Sequence, residues 1–394
     1  GAYCAPPVEN LDPNERFRER RRAARRRKRI RRAAGGTALL LAAAGVAVGA
    51  RGLDSGDESS AAPEAKKTAK NQHPVPAQPP AEIRGVHVTM ALASIPGKVE
   101  EYSSALGLNT IELDVKDENG EVAFHRLAPS LARQIGAAKR YYDPKKVAAQ
   151  LDKKGIYLIG RVVCFEDPIL AEKRPDYAIR TTGGGVWVNH AGLGWSNPYN
   201  TRVWNYNLAV AKAAVRAGFD EIQFDYVRFP SDGNLESAVL PGKRAEPMST
   251  TIARFVHYAT NQLRSMGARV SVDLFGLSAT RNLGVGQSPR RLAKIVDAIS
   301  PMVYPSHYGS GEHGLASPVS APGKTVGRSL RDFRRQMRRG KAQLVPWLED
   351  FSFSGTPTLA HVQEQIRAAR RWKTGGFLLW NAEGVYTTGA LTTP

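Results

Sequence analysis

A (β/α)8 barrel, the TIM-barrel class of α/β fold, is what the sequence predicts, and three observations carry that expectation. From Ile83 onward, short apolar strand-like runs alternate with helix-like stretches, the pattern of parallel βαβ units. About eight such runs can be counted, at 83–88, 110–115, 156–165, 221–228, 270–275, 298–304, 343–349 and 376–380, and eight parallel strands close a barrel. Before several of them stands a glycine where a helix should end, at Gly107, Gly155, Gly218, Gly267 and Gly375. A doubly wound open sheet is the alternative, but no glycine-rich phosphate loop follows the first run.

Three segments precede the barrel. Residues 1–32 hold twelve Lys/Arg against four Asp/Glu, so +8 of the net charge of +20 falls in this short basic tail and the remainder is only moderately basic. Residues 33–50 are an uncharged Ala/Leu/Val/Gly run closed by Arg51, at the lower limit of about 18 residues for a helix that crosses a bilayer. With its positive flank retained in the cytoplasm, this apolar helix is expected to be a single-pass signal anchor in the cell membrane, with the rest of the chain outside. A cleaved export signal, giving a secreted protein, is the alternative. A charge run by itself is usually a solvated surface, so no nucleic-acid partner is expected. Residues 51–82 are rich in Ser, Ala, Lys, Gln and Pro and predict a disordered spacer. The barrel then occupies 83–394. Cys4 and Cys164 are far apart in this arrangement, so no disulfide is expected.

Within the barrel the two faces of each strand are unequal. Thr110, Glu112 and Asp114 alternate with Ile111, Leu113 and Val115, Gln223 and Asp225 alternate with Ile222 and Phe224, and Ser271 and Asp273 alternate with Val272 and Leu274. The apolar faces must meet the helices, which leaves three polar stripes pointing into the barrel and ending on Asp114, Asp225 and Asp273 near its carboxyl-terminal mouth. Buried like charges repel, so counter-ions are expected from Arg161, Lys116 or Arg228. The plain alternative is an ion-pair network that only holds the barrel together.

Paired carboxylates across a sugar ring can cleave a glycosidic bond, one as acid and the other as nucleophile or base. Asp225 and Asp273 are the candidates. Asp114, Arg161, Arg228 and Glu349 are candidates for placing charge and sugar hydroxyls, with Tyr304, His307, Trp347 and Trp380 beside them at strand ends. Trp187, Trp195, Tyr226 and Tyr308 are further candidate sugar platforms. The histidines show no HxH or HExxH spacing, so neither a catalytic metal nor another cofactor is expected, and neither a Gly-x-Ser-x-Gly elbow nor a Walker loop occurs. The expected partner is a polysaccharide or oligosaccharide substrate; a glycan-binding envelope protein without catalysis is the alternative.

The segments Arg84-Gly85-Val86-His87, Phe224-Asp225-Tyr226-Val227-Arg228-Phe229-Pro230, Asp273-Leu274-Phe275-Gly276, Pro301-Met302-Val303-Tyr304-Pro305-Ser306-His307-Tyr308 and Pro346-Trp347-Leu348 resemble a glycoside hydrolase barrel domain of uncharacterised bacterial proteins, distantly similar to the α-amylase superfamily. The resemblance spans about Ile83 to the C-terminus. It implies that Asp225 stands at the amylase nucleophile and Asp273 near the general acid, with Glu349 or Asp350 as counterparts of the third amylase carboxylate. Gln223 stands where the amylase motif has arginine, and Asp273 is one methylene shorter than the amylase glutamate. The stretch Phe219 to Asp225 also resembles the acidic repeat of chitinase-like barrels, but Val227 occupies the position of their proton-donating glutamate.

Overall fold

The computed structural model describes residues 78–105, 107–351 and 358–392. The predicted basic tail, the apolar run 33–50 and most of the spacer lie outside them. Among the described residues no helix is long and apolar enough to cross a membrane.

Eight parallel strands form a closed barrel: β1 (Ile83–Val88), β2 (Thr110–Lys116), β3 (Tyr157–Val163), β4 (Glu221–Asp225), β5 (Arg269–Phe275), β6 (Ala298–Met302), β7 in two pieces (Gln343–Leu344 and Trp347–Glu349) and β8 (Gly376–Trp380). β8 closes on β1 with Leu378 opposite Gly85, and the second half of β7 reaches both β8 and Met302 of β6. Pro346 lacks an N–H and splits β7 at this seam. The fold expectation holds.

Helices cover the outside, chiefly α1 (Lys98–Ala105), α2 (Pro144–Asp152), α3 (Thr201–Ala217), α4 (Met248–Arg264), α5 (Pro289–Leu292), α6 (Pro322–Met337) and α7 (Leu359–Arg371). Their boundaries follow local chemistry. Asn200 caps α3 by accepting from the Arg202 N–H, and Gly218, at φ +105°, ends it in the left-handed region that a side chain would resist. The outward strand residues Ile111, Leu113, Leu158, Phe224, Val272 and Leu379 share one apolar core with Val210, Phe255, Leu330 and Ile366 of the helices. Each fully buried aliphatic or aromatic side chain there contributes about 1.5–3 kcal/mol. Gly376 is needed for closure, because a Cβ would lie 2.1 Å from the Ile83 carbonyl oxygen.

Two local departures from strand periodicity matter for the site. β4 is shorter than the sequence suggested and stops at Asp225, because Tyr226 turns to φ +48°. This is an uncommon conformation for a bulky residue. In β2 a register shift between Asp114 and Lys116 places Lys116 opposite Val162, so the bulge turns it to the outer face. Lys116 is therefore not a counter-ion of the inner acids. It is fully buried, pairs with Asp167 at 2.6 Å, donates to the carbonyls of Val163 and Cys164, and binds Asn207 on α3.

The excursions after β3 and β4 are tied by an antiparallel pair, Arg180–Thr181 with Ala238–Val239. Trp187 and Trp195 are buried in the first of them, Trp187 donating its indole N–H to the Asn234 carbonyl. Tyr308 is likewise buried and accepts from Ser329 of α6. These three rings are packing elements rather than open sugar platforms.

Removing one member of a buried ion pair leaves an uncompensated charge. Lys116→Met is expected to lower unfolding stability by about 3–5 kcal/mol, measurable by urea denaturation; a loss below about 1 kcal/mol would show that the pair does not anchor β2 to the loop after β3.

Candidate active site

The inner residues of β1 to β5 meet around Arg161. Asp114 and Arg161 face each other across the β2–β3 rung. Arg161 Nη1 donates to Asp114 Oδ1 at 2.8 Å, while Nε and Nη2 both donate to Asp225 Oδ2, at 3.0 and 2.6 Å. Glu118, on the loop after β2, approaches the same guanidinium at 3.5 Å, and Glu112 lies 4.0 Å away. Burial opposes the Arg161 charge, but Asp225, Asp114, Glu118 and Glu112 outweigh it and keep the group protonated.

The second carboxylate oxygens of Asp225 and Asp114 are engaged too. Asp225 Oδ1 accepts from the N–H of Tyr226 at 2.7 Å, a bond that the turned backbone makes available. Asp114 Oδ2 accepts from the Met90 N–H at 3.3 Å. His87 Nδ1 shares a hydrogen bond with Glu112, and its Nε2 lies 3.8 Å from Asp114. Trp380 stacks on His87 with ring centroids 4.2 Å apart and also faces the Arg161 guanidinium.

Asp273 sits on β5, one rung past the last β4–β5 pairing of Phe224 with Val272, so it is level with Asp225 on the neighbouring strand. Its Oδ1 accepts from the Trp347 indole N–H at 2.7 Å. Burial first, then the negative charges of Asp225 and Glu112, hold the Asp273 carboxyl well above the usual carboxylate range, against the Trp347 hydrogen bond. Burial also lifts Glu112, opposed by Arg161. Asp225 and Asp273 are 5% and 2% exposed, so the pair is screened from bulk water.

Glu349, at the end of β7, accepts from the Ser306 N–H at 2.9 Å, and burial pushes its carboxyl up to about 7. That N–H belongs to the turn after β6, where buried Tyr304 and half-buried His307 pack against Phe351. Trp347 and Trp380 meet edge to face at 5.5 Å.

Asp114, Arg161, Asp225, Asp273, Trp347 and Trp380 are thus brought together, while Glu349, Tyr304 and His307 form an adjoining wall. Arg228 points elsewhere: it is buried among the rings of Trp195, Tyr226 and Phe275 and donates to Ser231 and the Phe229 carbonyl. It is placed to brace the loop after Asp225 rather than to neutralise that carboxylate. Glu112, which the sequence places on the inward stripe of β2 without a role, and His87, a strand-end residue that the sequence leaves open as a binder of sugar hydroxyls or a structural hydrogen-bonder, are also part of the cluster. The amide of Gln223, one inward position below Asp225, has no hydrogen-bond partner among the described residues, nor does the hydroxyl of Ser271 beside it.

Residues 85–386 match the family model described as "Putative glycosyl hydrolase domain". The chain belongs to that family. Among solved structures, a hypothetical protein from Ruminiclostridium thermocellum ATCC 27405 is 35% identical over 48% of this chain and 96% of its own, with a TM-score of 0.44. The glycoside hydrolase domain of PgaB (BpsB) from Bordetella bronchiseptica is 13% identical, covers 76% of this chain and 94% of its own, and has a TM-score of 0.52, a likeness of fold. No curated protein matches the chain. The barrel is therefore that of a glycosyl hydrolase family, and the inner cluster lies where a barrel of this kind carries out its chemistry, at the carboxyl ends of the strands.

The raised Glu349 carboxyl makes stability pH-dependent. An unfolded glutamate titrates near 4.3, so the folded chain holds this proton more tightly; the contribution is complete below about pH 4 and is lost as pH rises through about 7. Glu349→Gln is expected to reduce the stability lost between acid and mildly alkaline pH by on the order of 3 kcal/mol. Denaturation midpoints of the two proteins across that range check it, and parallel curves would contradict it.

Proposed function

We propose that this barrel hydrolyses a glycosidic bond in an extracellular or cell-envelope polysaccharide, with Asp225 as nucleophile or water-activating base and Asp273 as general acid. The observation that carries this is the unequal treatment of two carboxyls at one level of adjacent strands. Asp225 is ion-paired with Arg161 through two donors, whereas burial and the charge of Asp225 favour the protonated form of Asp273. A glycosidase needs that division of roles: an anion to attack or activate water and a neutral acid to protonate the leaving oxygen. Asp114, Arg161 and Glu349 would bind sugar hydroxyls or fix the charge of the attacking group, with Trp380 and His307 offering a ring face and polar edges and the buried Trp347 and Tyr304 packed behind them. Trp347 would act through Asp273 by holding its carboxyl in place.

In this reading residues 1–32, 33–50 and 51–82 serve as a cytoplasmic tail, a membrane signal anchor and a spacer that holds the barrel outside the cell, with secretion as the alternative. The composition of those segments supports it. Retention of the chain in the membrane fraction after alkaline carbonate washing is expected, and release into the wash would end the anchor proposal.

Asp225→Asn and Asp273→Asn are each expected to reduce turnover of an envelope polysaccharide by about 10²–10⁴-fold. The two should differ on aryl glycosides with good leaving groups, which need no protonation: these should rescue Asp273→Asn but not Asp225→Asn. Wild-type activity on the polysaccharide should fall at alkaline pH, as Asp273 loses its proton, whereas on the aryl glycosides this fall should be absent. Glycan binding by the wild-type protein with no turnover would instead support the non-catalytic reading.

A further inference from the structure

The loop between β2 and α2 builds a second concave surface beside the inner cluster. A groove of about 600 Å3 is lined by Phe124, Arg126, Arg140, Tyr142, Asp143 and Lys145, among others, and its volume is within the range of about 300–1,000 Å3 usual for ligand sites. It lies at the same end of the barrel as the carboxylates, because the loop leaves the carboxyl end of β2. It is also joined to them: the Tyr142 hydroxyl donates to the backbone carbonyl of Asp114 at 2.8 Å. The tie fixes the Tyr142 ring, which meets Phe124 edge to face at 6.4 Å.

The charge of this groove is opposite to that of the site. Arg126, Arg140 and Lys145 are exposed and make no ion pair among the described residues. Asp143 is the acid among the lining residues, and its carboxylate is engaged by the N–H groups of Lys145 and Lys146 as the cap of α2. Two guanidinium groups and an ammonium beside a fixed aromatic edge suit a sugar that carries a carboxylate, since arginine can meet a planar carboxylate through two donors while the ring covers the apolar face of the pyranose. The barrel interior suits such a sugar less well, because Asp114 and Asp225 already take up the hydrogen bonds of Arg161 there.

We infer that this groove is a flanking subsite for an acidic, carboxylate-bearing sugar, so that the polysaccharide carries its charge on a unit next to the one being cleaved. This rests on the hydrolase reading above only for the word flanking; the binding itself can be measured without turnover. The full chain is titrated calorimetrically with polygalacturonate, hyaluronate and neutral dextran, at low and high salt. Wild type is expected to bind at least one acidic polymer more tightly than dextran, with affinity falling as salt rises. Arg126→Gln combined with Arg140→Gln should weaken that binding by about tenfold and flatten its salt dependence, without moving the melting temperature, because both side chains are exposed.

Equal affinity for acidic and neutral polymers, or undiminished acidic binding by the double variant, would overturn the proposal. Displacement of the polymer by millimolar inorganic phosphate as effectively as by free galacturonate would also overturn it, by showing a site for small anions rather than for sugars. Asp225→Asn separates this inference from the catalytic one: it should bind the acidic polymer as wild type does. If it also retained turnover, the catalytic assignment would fall while the subsite stood.

Discussion

The contacts of one guanidinium organise the inside of this barrel. Arg161 reaches from β3 to Asp225 on one side and Asp114 on the other, with Glu118 and Glu112 behind. Carboxylates on neighbouring inward positions would otherwise repel in a low-dielectric interior and be driven to bind protons. The guanidinium suits the position because its donors are rigid, planar and divided among several directions, and because it keeps its charge when buried. One cation cannot neutralise every acid around it, however. Asp225 and Asp114 receive its direct hydrogen bonds, whereas Asp273 accepts from the neutral Trp347 indole N–H, and burial, then the charges of Asp225 and Glu112, push it toward its protonated form. The chemical inequality of the acids thus follows from burial together with an unequal sharing of one positive charge.

That inequality depends on a barrel whose two surfaces are kept apart. The outward residues of the strands merge with the helices into a continuous apolar core, so the inward stripe is the surface left for polar groups. At two points the chain leaves the simple alternation, and both shape the cluster. The bulge in β2 takes Lys116 out of the interior and gives its charge to Asp167. The turn at Tyr226 ends β4 and supplies an N–H to Asp225. Had Lys116 stayed inside, a second cation would have competed with Arg161 for the same acids.

The charges are also sorted at a larger scale. Acids converge inside the mouth, whereas Arg126 and Arg140 on the adjoining loop and Lys145 at the start of α2 make no ion pair among the described residues, and Tyr142 links the two regions through the backbone of Asp114. In the proposed reading a polymer lying across both would meet negative potential at one unit and positive potential at the next, and complementary charge would help to set its register. Aromatic rings are divided in the same way: Trp347 and Trp380 face the cluster, whereas Trp187, Trp195 and Tyr308 are used up in packing loops and helices.

The sequence alone determined the barrel and its inner stripes, because period-two alternation and helix-ending glycines are local properties that survive in any tertiary setting. Asp114, Gln223, Asp225, Ser271 and Asp273 could be placed on inward faces for that reason. Only the tertiary structure decided which cation serves which acid. Arg161, Lys116 and Arg228 were equivalent candidates by position, yet one enters the cluster, one is turned outward by a single extra residue in β2, and one is enclosed by three aromatic rings. A bulge and a left-handed turn leave almost no trace in composition, and ion pairing is set by distances of a few ångströms between residues far apart in the chain; that is why the partners of the acids could be learned only from the folded protein.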